Sequence, residues 1–245
     1  MIGIIGFGRF GKLVSHYLAK DFDVFVHTRA DKASEISRTG ARAASLEETC
    51  RQDIVIPCVP ISVFKDFLEQ IAPLIKPDGL VIDVCSVKEY PIRWMKRILP
   101  DTVSILATHP MFGPDSASDS LEGKKICLCK VKIAEKQYRK IRSYLASKGL
   151  VVIEATASEH DKQIATSLAL THLIGRTLSE SGATQLDIDT EGYKRLLHVL
   201  EVVERDTWQL FMDMNQYNTY ARKKRIEFMD ILQDINARLE QGDLV

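Results

Sequence analysis

Gly6-Phe7-Gly8-Arg9-Phe10-Gly11 stands between an apolar run beginning at Ile2 and a stretch in which Phe10, Leu13, Val14, Tyr17 and Leu18 recur at helical spacing. No other feature of the chain restricts its fold as much. A G-x-G-x-x-G between a strand and a helix gives each glycine a separate task. The first permits the tight turn, the second lets the backbone come close to a pyrophosphate, and the third lets helix and strand pack closely. The N–H groups that open the helix, near Arg9 and Phe10, have no partner within it and face the anion. The expectation is a βαβ unit holding a dinucleotide on Gly6, Phe7, Gly8, Arg9, Phe10 and Gly11.

Short β-branched runs continue to alternate with amphipathic stretches up to about residue 155, the pattern of a parallel sheet with crossover helices. Candidate strands are Ile2–Gly6, Val24–His27, Ile54–Cys58, Leu80–Val84, Ser104–Thr108, Lys125–Cys129 and Val151–Glu154. All eight prolines lie between Pro57 and Pro114, so composition shifts along the chain as well. Thr156, with Glu159 three residues on, reads as a capping box opening a helix that carries Ile164, Leu168, Thr171, Gly175 and Leu178 along one side. From Tyr193 to Gln241 there is neither Gly nor Pro. Tyr193, Leu196, Leu197, Leu200, Val203, Thr207, Leu210, Phe211 and Met214 form one stripe there, and Ile231, Leu232, Ile235 and Leu239 begin another beyond a break near Asn215–Asn218. These patterns place a nucleotide-binding domain over residues 1–155 and a helical substrate and dimerisation domain over 156–245. A small bundle with wide apolar faces needs them covered, and a second copy of the chain does this, so a homodimer is expected.

Composition narrows the function classes. The 33 basic and 33 acidic side chains cancel, which removes the basic excess that nucleic-acid binding needs. With 45% hydrophobic and 27% charged residues among 245, the chain is an ordinary globular one and not a disordered one. No apolar run approaches the roughly 20 residues that cross a bilayer, so no membrane is expected. The first strand begins at Ile2, and no separate regulatory domain fits before Val245. The expected location is therefore the cytoplasm, or a plastid only if a transit peptide has been removed. Five cysteines, Cys50, Cys58, Cys85, Cys127 and Cys129, contain no C-x-x-C pair and read as reduced, buried residues and not as a disulfide or zinc framework.

The end of the second strand speaks to which dinucleotide binds. NAD-selective turns carry an acid there for the ribose 2′-hydroxyl, whereas this chain reads His27-Thr28-Arg29. A hydroxyl and a guanidinium suit a 2′-phosphate, so NADP is expected over NAD, with His27, Thr28, Arg29 and, at the end of the third strand, Cys58 on the cofactor side. The alternative leaves Arg29 solvated and Asp31 capping the next helix. Two further segments fall at carboxyl ends of strands, where open parallel sheets bind ligands: Asp83–Lys88 and Thr108–Pro114. His109 follows its apolar strand and precedes a stiff Pro-x-x-Gly-Pro loop, so its imidazole is a candidate general base at neutral pH. Ser86 is placed to hold that imidazole or a substrate hydroxyl.

Taken together, GFGRFG, DVCSVKEYP, THPMFGPDS, EHDKQIATS, THLIGR and the stretch from GYKRLLHVLE to Tyr217-Asn218 resemble the prephenate and arogenate dehydrogenase family, most closely its plant-type arogenate branch. The resemblance covers nearly the whole chain. It implies an α/β fold, a Rossmann-like doubly wound mostly parallel sheet, followed by an all-helical dimerisation domain. The activity it implies is oxidative decarboxylation of a cyclohexadienol to tyrosine or to 4-hydroxyphenylpyruvate, with reduction of NADP or NAD. On that reading, hydride leaves the ring carbon bearing the hydroxyl, His109 takes the hydroxyl proton, and loss of the ring carboxylate as CO₂ aromatises the ring. No metal is called for.

Prephenate carries a ketone where arogenate carries an ammonium, so an acid at that end favours arogenate. The arogenate branch resembled here points to Asp119 for that role; capping of an exposed turn by Asp115 or Asp119 is the alternative. Ser86, His109, Gly113, Asp119, Thr171, His172 and Arg176 make up the expected substrate-binding set. His172 and Arg176 lie i, i+4 on one helix face, although Arg176 also suits a structural ion pair. Where the family's bacterial prephenate enzymes place a substrate-binding arginine, this chain has Glu201, and the role is not carried over. Lys88 is read as contacting substrate or cofactor or as pairing with Glu89, His16 and His198 as structural, and His160 as matching the family's His-Asp position without an assigned chemistry. A reductase of 3-hydroxyacids or imines with the same domain order would not explain HPMFGP. A non-catalytic NADP sensor would not need His109 with Ser86.

Overall fold

A computed structural model of the chain describes residues 1–242. It divides into two compact units, Met1–His160 and the segment from Asp161 onward.

The first unit alternates strands and helices: β1 (Ile2–Ile5), α1 (Arg9–Leu18), β2 (Val24–His27), α2 (Ala33–Arg38), β3 (Arg42–Ala43), α3 (Leu46–Cys50), β4 (Ile54–Pro57), α4 (Ile61–Ile71), β5 (Leu80–Asp83), α5 (Glu89–Ile98), β6 (Ser104–Pro110), β7 (Lys125–Lys132), α6 (Glu135–Ser147) and β8 (Val151–Glu154). Among the described residues these strands form one eight-stranded sheet in the order β3-β2-β1-β4-β5-β6-β7-β8. Every neighbouring pair is parallel except β6 with β7. The chain winds outward from β1 in one direction and then from β4 in the other, so the switch point lies between their carboxyl ends. This is the expected α/β, doubly wound, mostly parallel sheet.

The central strands read as continuous apolar runs because helices cover both faces. Ile2, Ile4, Phe7, Val24, Val26, Ile36 and Ile56 form one buried cluster, and Leu80, Leu106, Ile126, Leu128, Tyr138 and Leu150 another. Each fully buried side chain of this kind contributes about 1.5–3 kcal/mol relative to exposure. Two strand features differ from the sequence expectation. The two-residue β3 is exposed and too short to show an apolar alternation. β6 runs on past Thr108, because antiparallel β7 pairs His109 with Cys127 and Pro110 with Ile126. His109 therefore lies inside a strand and not after one.

Helix α7 (Ala157–Ile164) starts on the expected capping box: Glu159 N donates to Thr156 Oγ1 at 3.2 Å and Thr156 N to Glu159 Oε2 at 2.9 Å. A π-helical turn over Ala165–Leu170 follows, then α8 (Thr171–Glu180), α9 (Glu191–Glu204), α10 (Trp208–Gln216) and α11 (Ala221–Gln241). The π turn inserts extra chain into the periodicity, so the fully buried positions are Ile164, Ala165, Ala169, His172 and Gly175. Leu168, expected on the buried side, is partly buried and packs against Ala165, Ala169 and Met214, whereas Thr171 and Leu178 are only half-buried. The long stripe from Tyr193 to Met214 is likewise two helices, since Thr207 leaves the helix and its Oγ1 caps α10 by accepting from Leu210 N at 3.1 Å. The break near Asn215–Asn218 is where expected. Buried Asn218 holds it, donating to Asp161 O at 2.8 Å and accepting from Tyr220 N at 2.9 Å. Gly175 lets α8 meet α9, because a Cβ there would fall 2.5 Å from Val203 Cγ2. Among the described residues no helix is long and apolar enough to cross a membrane.

Candidate active site

The glycine turn has the shape its sequence predicts. Gly6 adopts φ +100°, and a Cβ on it would lie 2.3 Å from Cys58 O. A Cβ on Gly11 would lie 2.0 Å from Gly6 O, so strand and helix touch through these two residues. Gly8 is the N-cap of α1, makes no side-chain cap hydrogen bond, and has nothing within 4 Å of where its Cβ would stand. The opening of α1 thus presents N–H groups to clear space, which fits the pyrophosphate of a dinucleotide. Phe7 is a core residue, so only its backbone faces the turn. Burial pushes the Cys58 thiol up to about 12, which leaves it a packing surface under the turn and not a nucleophile. Arg9 reaches across to the loop after β6, where Nη2 meets both carboxylate oxygens of Asp115 at 2.7 and 2.6 Å.

At the end of β2, His27 Nδ1 lies 3.3 Å from Ala44 O, Thr28 is half-buried and Arg29 is exposed. Lys32 occupies the N-cap of α2 without a side-chain bond, so Asp31 does not cap that helix. No acid stands at the end of the strand.

The ends of β5 and β6 are joined by a buried polar network. Asp83 Oδ2 pairs with Lys88 Nζ at 2.5 Å, while Oδ1 accepts from Cys85 N at 2.8 Å. Lys88 Nζ also donates to Thr108 O at 2.5 Å, and Thr108 Oγ1 donates back to Asp83 O at 2.7 Å. The sequence reading gave Lys88 to a ligand or to Glu89. It is wholly buried, and its Nζ pairs with Asp83 at the end of β5. Between these two residues Ser86 Oγ is out of solvent and has no hydrogen-bond partner. A buried hydroxyl in that state is a group waiting for a ligand atom.

His109 is buried with its Nδ1 2.8 Å from His160 Nε2. Desolvation holds its imidazole well below the usual range, with His160 and then Lys88 adding to the effect. The ring is therefore neutral at pH 7, the state a base needs. Ser86 does not hold this imidazole; His160 does. The sequence marks His160 only as the family's His-Asp position, just inside the capped start of α7.

The loop after β6 turns on Gly113, whose carbonyl accepts from Ala117 N at 3.1 Å. Asp119 is exposed and its charge reaches Tyr17, whose Oη donates to Ala117 O at 2.8 Å. In the second unit, His172 is buried with Nε2 3.6 Å from Asp206 Oδ2. Arg176 Nη2 donates to Asp206 O at 2.5 Å, with the guanidinium over the Trp208 ring at 5.3 Å. Its partner is thus a backbone carbonyl and an aromatic face, not the ion pair considered from sequence. His172 Nδ1 and Arg176 Nε are buried without partners. Thr171 is half-buried, its Oγ1 donating to Ser167 O at 3.2 Å. His16 and His198, read as structural, are both exposed on their helices. Among the cysteines, Cys50, Cys85, Cys127 and Cys129 are buried and all five are free thiols.

Comparison with known proteins bears on the same segments. The family "Prephenate dehydrogenase, nucleotide-binding domain" matches residues 25–154, and "TYRAAT1-like, C-terminal domain" matches residues 177–243. Arogenate dehydrogenase 2, chloroplastic, of Arabidopsis thaliana is 32% identical over 98% of this chain and 71% of its own length. Arogenate dehydrogenase 1, chloroplastic, of the same plant is also 32% identical, over 97% of this chain, which spans only 39% of that protein. The crystal structure of prephenate dehydrogenase from A. aeolicus, in complex with hydroxyphenyl propionate and NAD+, superposes with a TM-score of 0.76 at 18% identity, covering 98% of this chain and 90% of the other.

Proposed function

The chain belongs to the prephenate and arogenate dehydrogenase family of oxidoreductases, and from that premise we propose that it oxidatively decarboxylates L-arogenate to L-tyrosine with NADP, using His109 as general base. The observation that carries this reading is the pairing, at adjacent strand ends, of a neutral buried imidazole with a buried hydroxyl that has no partner, His109 and Ser86.

Bound NADP would accept the hydride from the ring carbon that bears the hydroxyl. The work left to the protein is to hold the ring and take a proton. Ser86 Oγ hydrogen-bonds the substrate hydroxyl, and His109 Nε2 takes the proton as the oxygen becomes a carbonyl. Loss of the ring carboxylate as CO₂ then yields the aromatic ring. Gly6, Gly8, Arg9, Phe10 and Gly11 hold the pyrophosphate on the open N-terminus of α1, over a wall formed by Cys58. Thr28 and Arg29 receive the 2′-phosphate, since no acid stands there to repel it. The A. aeolicus structure contains NAD+, and the reading of NADP rests on Thr28 and Arg29 of this chain.

Asp119 favours the ammonium of arogenate over the ketone of prephenate, in keeping with the two Arabidopsis relatives, both arogenate dehydrogenases. In the helical unit, His172 Nδ1 and Arg176 Nε are buried without partners and are offered to a carboxylate. Trp208, Met212, Ile226, Met229, Leu232 and Ile235 are all exposed, and a second copy of the chain covers them.

The test is an initial-rate matrix of arogenate and prephenate against NADP and NAD, followed at 340 nm. Arogenate with NADP is expected to be fastest. Fastest turnover with prephenate or with NAD overturns that part of the assignment, and no turnover in any of the four overturns the whole.

A further inference from the structure

Two imidazoles meet at the candidate base, and the contact between them restricts what either can do. His109 Nδ1 lies 2.8 Å from His160 Nε2, with the rings edge to face at 73° and centroids 5.0 Å apart. The residues are 6% and 2% exposed, so water does not compete for the contact. Each comes from a rigid element. His109 is a paired residue of β6, and His160 is in the first turn of α7, its N–H bonded to Thr156 O at 3.0 Å and the helix start pinned by the Thr156–Glu159 pair.

A neutral imidazole has one N–H and one lone pair, on opposite nitrogens. A short N···N contact needs one donor and one acceptor, so His160 Nε2 either donates to His109 Nδ1 or accepts from it. If His160 donates, His109 Nδ1 is the acceptor and its proton sits on Nε2, where it blocks the atom that must take the substrate proton. If His109 donates, its Nε2 lone pair is free, and after proton uptake both of its nitrogens carry hydrogen while the Nδ1–H bond to His160 persists. Only the second arrangement leaves Nε2 free to accept a proton.

We infer that His160 is a positioning residue: its Nε2 accepts from the Nδ1–H of His109 and so keeps the His109 Nε2 lone pair turned to the reacting hydroxyl. This rests on the reading of His109 as base. In the step itself the substrate O–H bond breaks, its electron pair stays on oxygen as hydride departs to the oxidised nicotinamide, and the proton forms a new N–H bond at His109 Nε2. The proton on Nδ1 does not move.

Two measurements test it. Nitrogen-15 long-range spectra of the ring nitrogens, recorded on histidine-labelled whole chain, read the tautomers without any turnover. His109 is expected as Nδ1–H in the wild type, and an Nε2–H ring there overturns the inference. Kinetics then compare His160→Leu, which removes the acceptor, with His160→Gln, whose side-chain carbonyl replaces it. His160→Leu is expected to lower kcat by about 10²-fold or more, the scale of a misplaced base, with KM for the dinucleotide within about twofold. His160→Gln should recover most of that loss. Wild-type kcat in His160→Leu, or equal losses in two variants with native circular dichroism, overturns the positioning role. A wild-type chain inactive with all four substrate and cofactor pairs overturns the proposed reaction and with it the positioning role, while the ring spectra still decide the pairing itself.

Discussion

Lys88 Nζ lies 2.5 Å from Asp83 Oδ2 and 2.5 Å from Thr108 O, with neither charged side chain exposed to solvent at all. The pair clamps the turn that carries Ser86 to the residue that precedes His109. Removing one partner strands a charge in the interior, which costs about 3–5 kcal/mol, whereas removing both with apolar residues of similar size is close to neutral. Lys88→Met is therefore expected to lose that much stability in urea denaturation, and Asp83→Leu with Lys88→Met to regain most of it. An additive double variant would contradict the clamp.

His109→Asn removes the ring nitrogen that takes the proton and leaves the glycine turn untouched. Turnover is expected to fall by about 10²–10⁴-fold, the usual contribution of a positioned base. Dinucleotide affinity, read by fluorescence titration, should hardly change. A variant that turns over normally takes the base role away from His109.

Burial holds both His109 and His172 below the ordinary imidazole value of 6.5. For a group with a lowered native pKa, the unfolded chain binds the proton first, so stability is full above 6.5 and declines as pH falls from there towards the native values. Thermal melts are expected to show this decline on mild acidification. His109 stays neutral through the same window, so kcat/KM should remain flat across pH 6.5 and drop only in more acid solution. A limb centred at 6.5 would assign the activity to some exposed group.

Arg29 is exposed at the end of β2. Arg29→Asp exchanges an attraction for the 2′-phosphate for a repulsion and supplies the acid that suits a free 2′-hydroxyl. KM for NADP should rise far more than KM for NAD. Equal changes would make Arg29 a bystander.

Asp119 is the acid proposed to face the substrate ammonium. Asp119→Asn is expected to shift the ratio of kcat/KM for prephenate over arogenate upward by about tenfold, the size of one lost charge contact. Because Asp119 is exposed, stability should be unaffected. An unchanged ratio places substrate choice elsewhere.

Much of this was readable before any coordinates. Gly6 and Gly11 announce their turn because only glycine fits the close approaches found at Cys58 O and Gly6 O. The apolar runs of β1, β4 and β5 announce a sheet covered on both faces. Three features differ from what the sequence predicts, one through pairing with another strand and two through local departures from helical periodicity. β7 drew β6 on to Pro110, the π turn after Ile164 moved the buried face, and Thr207 broke a stripe that periodicity alone made continuous.

What the amino-acid order decided by itself is therefore local: the glycine turn, the absence of an acid after β2, the capped start of α7, and the alternation that makes the doubly wound sheet. Each follows from steric or hydrogen-bonding rules acting over a few residues. Only the tertiary structure decided that Lys88 belongs to Asp83, that Ser86 Oγ is left without a partner, and that His109 leans on His160, 51 residues away. The physical reason is that these are properties of burial. A lysine, a hydroxyl or an imidazole takes its charge state and its partner from the groups that exclude water around it, and those groups come together only when the sheet closes.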